Sequence, residues 1–184
     1  NRKKLNNNIA DWDKVFNPAK YASELIRVLK NDGNMFIFTS YNLIGKWHEL
    51  LDTEFDTFQF FVWHKTNPPP KIYKNGFLNS CELIICLWNK KHNWNFKGQR
   101  EMHNFFESPI CMGNERLAHP TQKPLKIIMH LIEIGSNEGE LVLDPFSGVG
   151  TTAAACKLLN RENISIEIDP IYCKLAAERL DKLK

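Results

Sequence analysis

The sequence predicts an α/β fold with a mostly parallel sheet covered by helices on both faces. Two observations predict it. Short apolar strands alternate with amphipathic helices along the chain, the order a parallel sheet requires because each crossover carries a helix. Toward the carboxyl end, the run from Leu141 to Thr152 (L-V-L-D-P-F-S-G-V-G-T-T) passes from strand through a two-glycine turn into a helix. That geometry brings backbone N–H groups close to a ligand at the strand ends.

The elements follow in order. Asn17-Pro18 opens the first helix as N-cap and first-turn proline; Tyr21, Leu25, Val28 and Leu29 mark its apolar face, and Gly33 ends it. Met35 to Thr39 is a short buried strand and Leu43 to Leu51 a helix. Phe58 to His64 and Leu83 to Trp88 are aromatic and β-branched strands. Residues 66 to 118 read as mostly irregular, punctuated by Asn67-Pro68-Pro69-Pro70, Asn75-Gly76 and Ser108-Pro109. Pro124 opens a helix carrying Leu125, Ile128, Leu131 and Ile132 on one face and ending at Gly135. Leu141 to Leu143 is a strand, Thr151 to Leu159 a helix, Ile164 to Ile168 a strand, and Asp169-Pro170 caps the last helix.

With 184 residues, 43% of them hydrophobic, the chain supports one core and is read as a single domain, 1–184. No apolar run reaches the roughly 18 residues of a membrane span. The polar start, Asn1 to Asn8, has no apolar segment of a signal peptide, and the first residue is not Met. Five cysteines, an odd count without a C-x-x-C pair, argue against a zinc site or a disulfide framework, and no metal is expected. Cys81, Cys86, Cys156 and Cys173 read as reduced core thiols, so the expected compartment is the cytoplasm.

Charge is uneven although the net is only +3. Residues 65–100 carry Lys65, Lys71, Lys74, Lys90, Lys91, Lys97 and Arg100 against the single acid Glu82, which points to a polyanion-binding surface on one side. The aromatic and basic residues of 71–77 and 92–97 interleave as they do where phosphates and bases are both contacted. A solvated basic face and packed aromatics are the plain alternative. His48, His103 and His130 have no partner spacing and read as structural, and Trp12 as a packing residue.

The glycine turn is followed, 19 residues after Gly148, by Glu167 at the end of the next strand, where an acid suits the hydroxyls of a ribose. Dinucleotide-binding proteins share the pattern Gly148-x-Gly150-x-x-Ala153, but Asp144-Pro145-Phe146 intervenes where such a site turns at once. A second motif, His119-Pro120-Thr121-Gln122-Lys123-Pro124, stands about twenty residues earlier. With both motifs in this order, the sequence resembles the beta group of DNA amino-methyltransferases, in which H-P-T-x-K-P precedes D-P-F-x-G-S-G-T-T. The likeness extends over essentially the whole chain; Val149 stands where the group often has Ser.

The resemblance implies a Rossmann-like methyltransferase fold with circularly permuted motifs and S-adenosyl-L-methionine as cofactor. It implies that Asp144, Phe146, Ser147, Gly148, Gly150, Thr151 and Thr152 surround the cofactor, that Glu167 holds its ribose, and that Thr121 and Lys123 hold its methionine end. It also implies double-stranded DNA as partner and a recognition insertion at 66–118, with Lys71, Tyr73, Lys74, Lys90, Lys91, Lys97 and Arg100 as its contacts. The expected function is methylation of the adenine 6-amino group in a restriction-modification system. A cognate endonuclease then acts in the same cell without a stable complex, and a homodimer is left open. Cytosine 4-amino methylation and a non-catalytic DNA- and cofactor-binding remnant stay as alternatives.

The group's catalytic D-P-P-Y motif is absent. In the group, its acid or amide aligns the target amine and its aromatic residue stacks on the flipped base. Asn67-Pro68-Pro69-Pro70 imitates the motif without the aromatic. The catalytic residues are therefore unassigned. The expectation is that the motif and two strands precede Asn1, and that loss of a central strand leaves sheet edges unpaired.

Overall fold

The computed structural model describes residues 16–183; Trp12 lies outside them. The elements are α1 (Ala22–Val28), β1 (Asn34–Thr39), α2 (Ile44–Leu51), β2 (Thr57–Lys65), β3 (Cys81–Trp88), β4 (Phe105–Ser108), α3 (Leu125–Gly135), β5 (Leu141–Asp144), α4 (Thr151–Leu158), β6 (Glu162–Ser165) and α5 (Pro170–Lys182). No helix among the described residues is long and apolar enough to cross a membrane.

Local chemistry accounts for most boundaries. Asn17 accepts the Ala19 N–H at 3.1 Å, but Pro18–Lys20 forms a separate 3-10 turn before α1. The first helix also stops at Val28, short of Gly33. Asp169 caps α5 by accepting the Ile171 N–H at 2.8 Å, with Pro170 in its first turn. β6 ends at Ser165 rather than Ile168, because the chain then turns so that Ser147 donates to the Ile166 carbonyl at 3.0 Å.

Six strands form two sheets, ordered β1-β3-β2-β4 and β5-β6. β1 and β2 are each antiparallel to β3, β2 is parallel to β4, and β5 is parallel to β6. The expectation of a mostly parallel sheet is thus corrected: β3 is inverted and inserted between two strands that run the same way. The sequence joins β2 to β3 by a connection that carries no helix, so the antiparallel return follows. β4 was not foreseen. It is four residues long, and its alternation is too brief to stand out inside an irregular stretch.

The two sheets share one polarity. Asn93 ties their amino ends together: its N–H donates to the Asp32 carbonyl at 3.0 Å, its side chain donates to Glu140 at 2.8 Å, and its carbonyl accepts from the Asn34 side chain at 2.7 Å. The carboxyl ends of β1, β2, β4 and β5 therefore open on the same side, where α/β folds build their sites.

The four-stranded sheet is covered on both faces. Phe61, Trp63, Ile84 and Cys86 pack with α3 and α4 on one side, and Ile85 and Leu87 pack with Ala22, Trp47 and Leu51 on the other. Among the described residues, the two-stranded sheet is covered on one face. Val142 joins the α3 and α4 core, whereas Leu141 (51% exposed), Leu143 (38%), Ile164 (49%) and Ile166 (54%) alternate onto a bare face. The outer edges of β1, β4, β5 and β6 lack a partner strand among the described residues. Among the thiols, Cys86, Cys111 and Cys156 are buried, while Cys81 and Cys173 are exposed. The last two are therefore not core thiols, and Cys111, which the sequence reading left out, is one.

Candidate cofactor and nucleic-acid site

The glycine turn after β5 is held by two carboxylates. Asp144 accepts the Phe146 N–H at 3.0 Å on one oxygen and the Thr152 hydroxyl at 2.5 Å on the other, so it shapes the turn from within. Glu167 accepts the Gly148 N–H at 2.7 Å on Oε2, and the Ile168 and Asp169 N–H groups, both at 2.9 Å, on Oε1. One carboxylate thus joins the ends of β5 and β6, and Oε2 retains room for one further donor.

Both glycines are required by geometry. Gly148 (φ +51°) and Gly150 (φ +69°) are left-handed. A Cβ on Gly148 would lie 3.0 Å from His119 Nε2, and one on Gly150 would lie 2.9 Å from Ala176 Cβ. The turn is therefore backed by His119 and by α5. The neighbouring Thr151 is buried, and its hydroxyl accepts from Arg179 Nη1 at 3.0 Å. Its side chain anchors α5, so only its backbone is offered to a ligand.

Phe146 is 52% exposed. Its ring meets Phe16 and Tyr21 edge-on, with centroids 5.6 and 5.1 Å away. This aromatic cluster joins the turn to the start of α1, a contact no sequence spacing reveals.

The His119–Pro124 segment crosses from this turn to the larger sheet. His119 packs on Tyr172 at 4.5 Å and its Nδ1 accepts the Thr121 N–H at 3.3 Å. Burial holds the imidazole below its ordinary pKa, and Lys123 adds to this against the opposing pull of Glu167 and Asp169. Lys123 is engaged elsewhere: its Nζ lies 2.9 Å from Glu82, which also pairs with Lys65 at 2.8 Å. Burial opposes ionisation of Glu82, but the two lysines outweigh it and hold its carboxyl below the ordinary value. Glu82 and Lys65 were passed over as site residues because they are far apart in sequence from the motif they join.

The basic residues divide into two groups. Lys71, Tyr73 and Lys74 lie on the connection between β2 and β3, which leaves and re-enters at the carboxyl edge: the Lys65 N–H donates to the Ser80 carbonyl at 2.7 Å. Ile72, Tyr73 and Phe77 are exposed there. Lys90, Lys91, Lys97 and Arg100 follow β3 at the opposite, amino edge. There Lys90 N–H donates to Asp56 at 2.7 Å and Lys97 pairs with Glu133 at 2.5 Å. The structure does not bring these groups together. Within 66–118, the 89–104 stretch packs beneath the sheet, while the chain from 109 onward returns to the carboxyl edge. Asn67 is tied to the segment after β4, where its Oδ1 accepts the Ile110 N–H at 2.8 Å.

A strand, a left-handed glycine turn and an acid just past the end of the adjoining strand define a nucleotide-cofactor α/β protein whose basic arm stands on the same edge as its cofactor turn. The family follows from direct comparison: residues 1–178 match the DNA methylase family model, and the chain belongs to that family. It is 30% identical over 198 residues to the type II methyltransferase M.HinfI of Haemophilus influenzae, covering 95% of this chain and 55% of that protein. The chain thus spans little more than half the length of that relative. It is also 30% identical over 197 residues to the type II methyltransferase M2.MboI of Moraxella bovis, covering 96% of this chain and 71% of that protein. The crystal structure of an M1.HpyAVI–SAM complex superposes with a TM-score of 0.75 at 31% identity, over 90% of this chain and 84% of that one.

Proposed function

We propose that this chain forms the cofactor- and DNA-binding part of a methyltransferase that uses S-adenosyl-L-methionine to methylate the 6-amino group of adenine in double-stranded DNA, within a restriction-modification system. The observation that carries the reading is the glycine turn braced by Glu167, set on the same sheet edge as the basic 66–80 arm. The residues fit the cofactor. Glu167 Oε2 has capacity for a ribose hydroxyl, Phe146 is half exposed beside the turn, and Gly148 and Gly150 keep the turn clear of side chains. When bound, the cofactor supplies an electrophilic methyl group on its sulfonium. The chain's own part is to bind, orient and exclude water, because methyl displacement depends on alignment.

Glu167 is the ribose acceptor, the turn's backbone and Ser147 hold the remainder of the cofactor, and Lys71, Tyr73 and Lys74 contact DNA. Asp144 holds the turn through both oxygens, each of which keeps one acceptor site for the cofactor. A cytosine 4-amino target uses the same site. Titration calorimetry with S-adenosyl-L-methionine tests the cofactor site, and chromatography of nucleosides from labelled DNA distinguishes the two target bases. No heat of binding from the folded chain would end this reading.

A further inference from the structure

We propose that Glu82 is a positioning residue that ties the DNA-facing arm to the segment seated on the cofactor turn, so that cofactor and DNA strengthen each other's binding. This rests on the function proposed above. The arm, residues 66–80, leaves from Lys65 at the end of β2 and returns to Glu82 near the start of β3. Its roots are closed by the Lys65–Glu82 pair at 2.8 Å, by the Lys65 N–H on the Ser80 carbonyl at 2.7 Å and by the Thr66 N–H on the Ser108 carbonyl at 3.1 Å. Lys65 is 8% exposed, with its ammonium 5.4 Å from the Trp63 ring centre. An ammonium so placed needs its carboxylate partner.

The second oxygen of Glu82 reaches out of this root to Lys123, at 2.9 Å. Lys123 in turn lies over Phe38 at 5.5 Å. Four residues back, His119 rests on Gly148 of the cofactor turn. Glu82 is therefore the one carboxylate through which the arm root grips the segment that backs the turn. Neutralising Lys65 alone requires no such bridge. The arm's tip is open among the described residues, with Ile72 83% and Phe77 99% exposed, so DNA that covers it would order it. A ligand that steadies the 119–123 segment steadies the arm's root beforehand and lowers that ordering cost. By linkage the effect is reciprocal.

The test is a titration of a fluorescein-labelled random-sequence duplex by fluorescence anisotropy, with and without saturating S-adenosylhomocysteine, on the 184-residue chain. The parent should bind the duplex at least about fivefold more tightly with the cofactor product present, the lower end of ordinary coupling. In Glu82→Gln that ratio should fall to within about twofold of unity, while affinity for the duplex alone does not weaken, because the change removes a negative charge. Glu82→Asp should recover part of the coupling. Lys123→Gln, which leaves the Lys65–Glu82 pair intact, should lose it as well, and decides the matter if Glu82→Gln fails to fold. A purely structural role would lower thermal stability and leave the ratio unchanged; that result, or a parent that binds both ligands without coupling, overturns the proposal. A parent that binds neither ligand overturns the proposed function and this inference with it.

Discussion

Glu167 serves two ends at once. It accepts three backbone N–H groups that fix the glycine turn, and it keeps one lone-pair site for a ligand hydroxyl. Glu167→Ala should therefore weaken S-adenosyl-L-methionine binding by about 1–3 kcal/mol and also lower the melting temperature. Equal affinity in calorimetry would remove Glu167 from the site. Gly150→Ala places a methyl group on a left-handed backbone and 2.9 Å from Ala176; a loss of about 1–3 kcal/mol of stability is expected by thermal denaturation. Glu82 gives a pH-dependent signature. Its folded pKa is depressed below 4.5, so its stabilisation is fully present above that pH and is lost as the pH falls through the folded value. Glu82→Gln should cost about 3 kcal/mol at neutral pH, as breaking a buried pair does. The gap in melting temperature between parent and variant should then close on acidification below about pH 4.5. A gap independent of pH would contradict the assignment.

At the level of elements, the β2–β3 connection and the stretch after β3 are alike in composition and opposite in place. Both are basic and aromatic, yet β3 carries the chain from the carboxyl edge of the sheet to its amino edge. The length of one strand separates Lys71 and Lys74 from Lys90 and Lys91. Replacing Lys71 and Lys74 with Ala should lower the salt dependence of duplex binding by about one to two units of slope, since each phosphate contact contributes roughly 0.9. Replacing Lys90 and Lys91 should leave the slope unchanged. Equal effects from the two pairs, measured by anisotropy across a salt series, would mean that DNA spans both edges.

For the molecule as a whole, Asp144 and Asn67 are engaged in structural hydrogen bonds. Asp144 spends both oxygens on Phe146 and Thr152, and Asn67 spends its carbonyl oxygen on Ile110. The sequence holds no D-P-P-Y motif to align a target amine and stack its base. The 184-residue chain alone is thus expected to bind cofactor without transferring labelled methyl groups to unmodified DNA, and addition of a polypeptide bearing an intact D-P-P-Y is expected to start transfer. Robust turnover by the chain alone would make Asn67 the residue to replace next. The apolar face formed by Leu141, Leu143, Ile164 and Ile166 leaves the smaller sheet without cover on one side among the described residues, an unusual state for strands of this composition.

The sequence by itself determined the elements whose signals are local. Caps, prolines and glycines announced α3, α4 and α5, and the strand–glycine–helix order with an acid 19 residues on placed the turn and Glu167. These follow from backbone conformation and short-range periodicity, which neighbouring residues alone dictate. Only the tertiary structure decided what depends on strand direction and on pairs far apart in the chain. The inversion of β3 placed Lys90, Lys91, Lys97 and Arg100 at the edge opposite Lys71 and Lys74. The same packing joined Lys65, Glu82 and Lys123 into one ion cluster and set Phe16 and Tyr21 against Phe146. No spacing rule reaches such contacts, because they are fixed by how sheets and helices close over a shared core rather than by any local preference of the residues that make them.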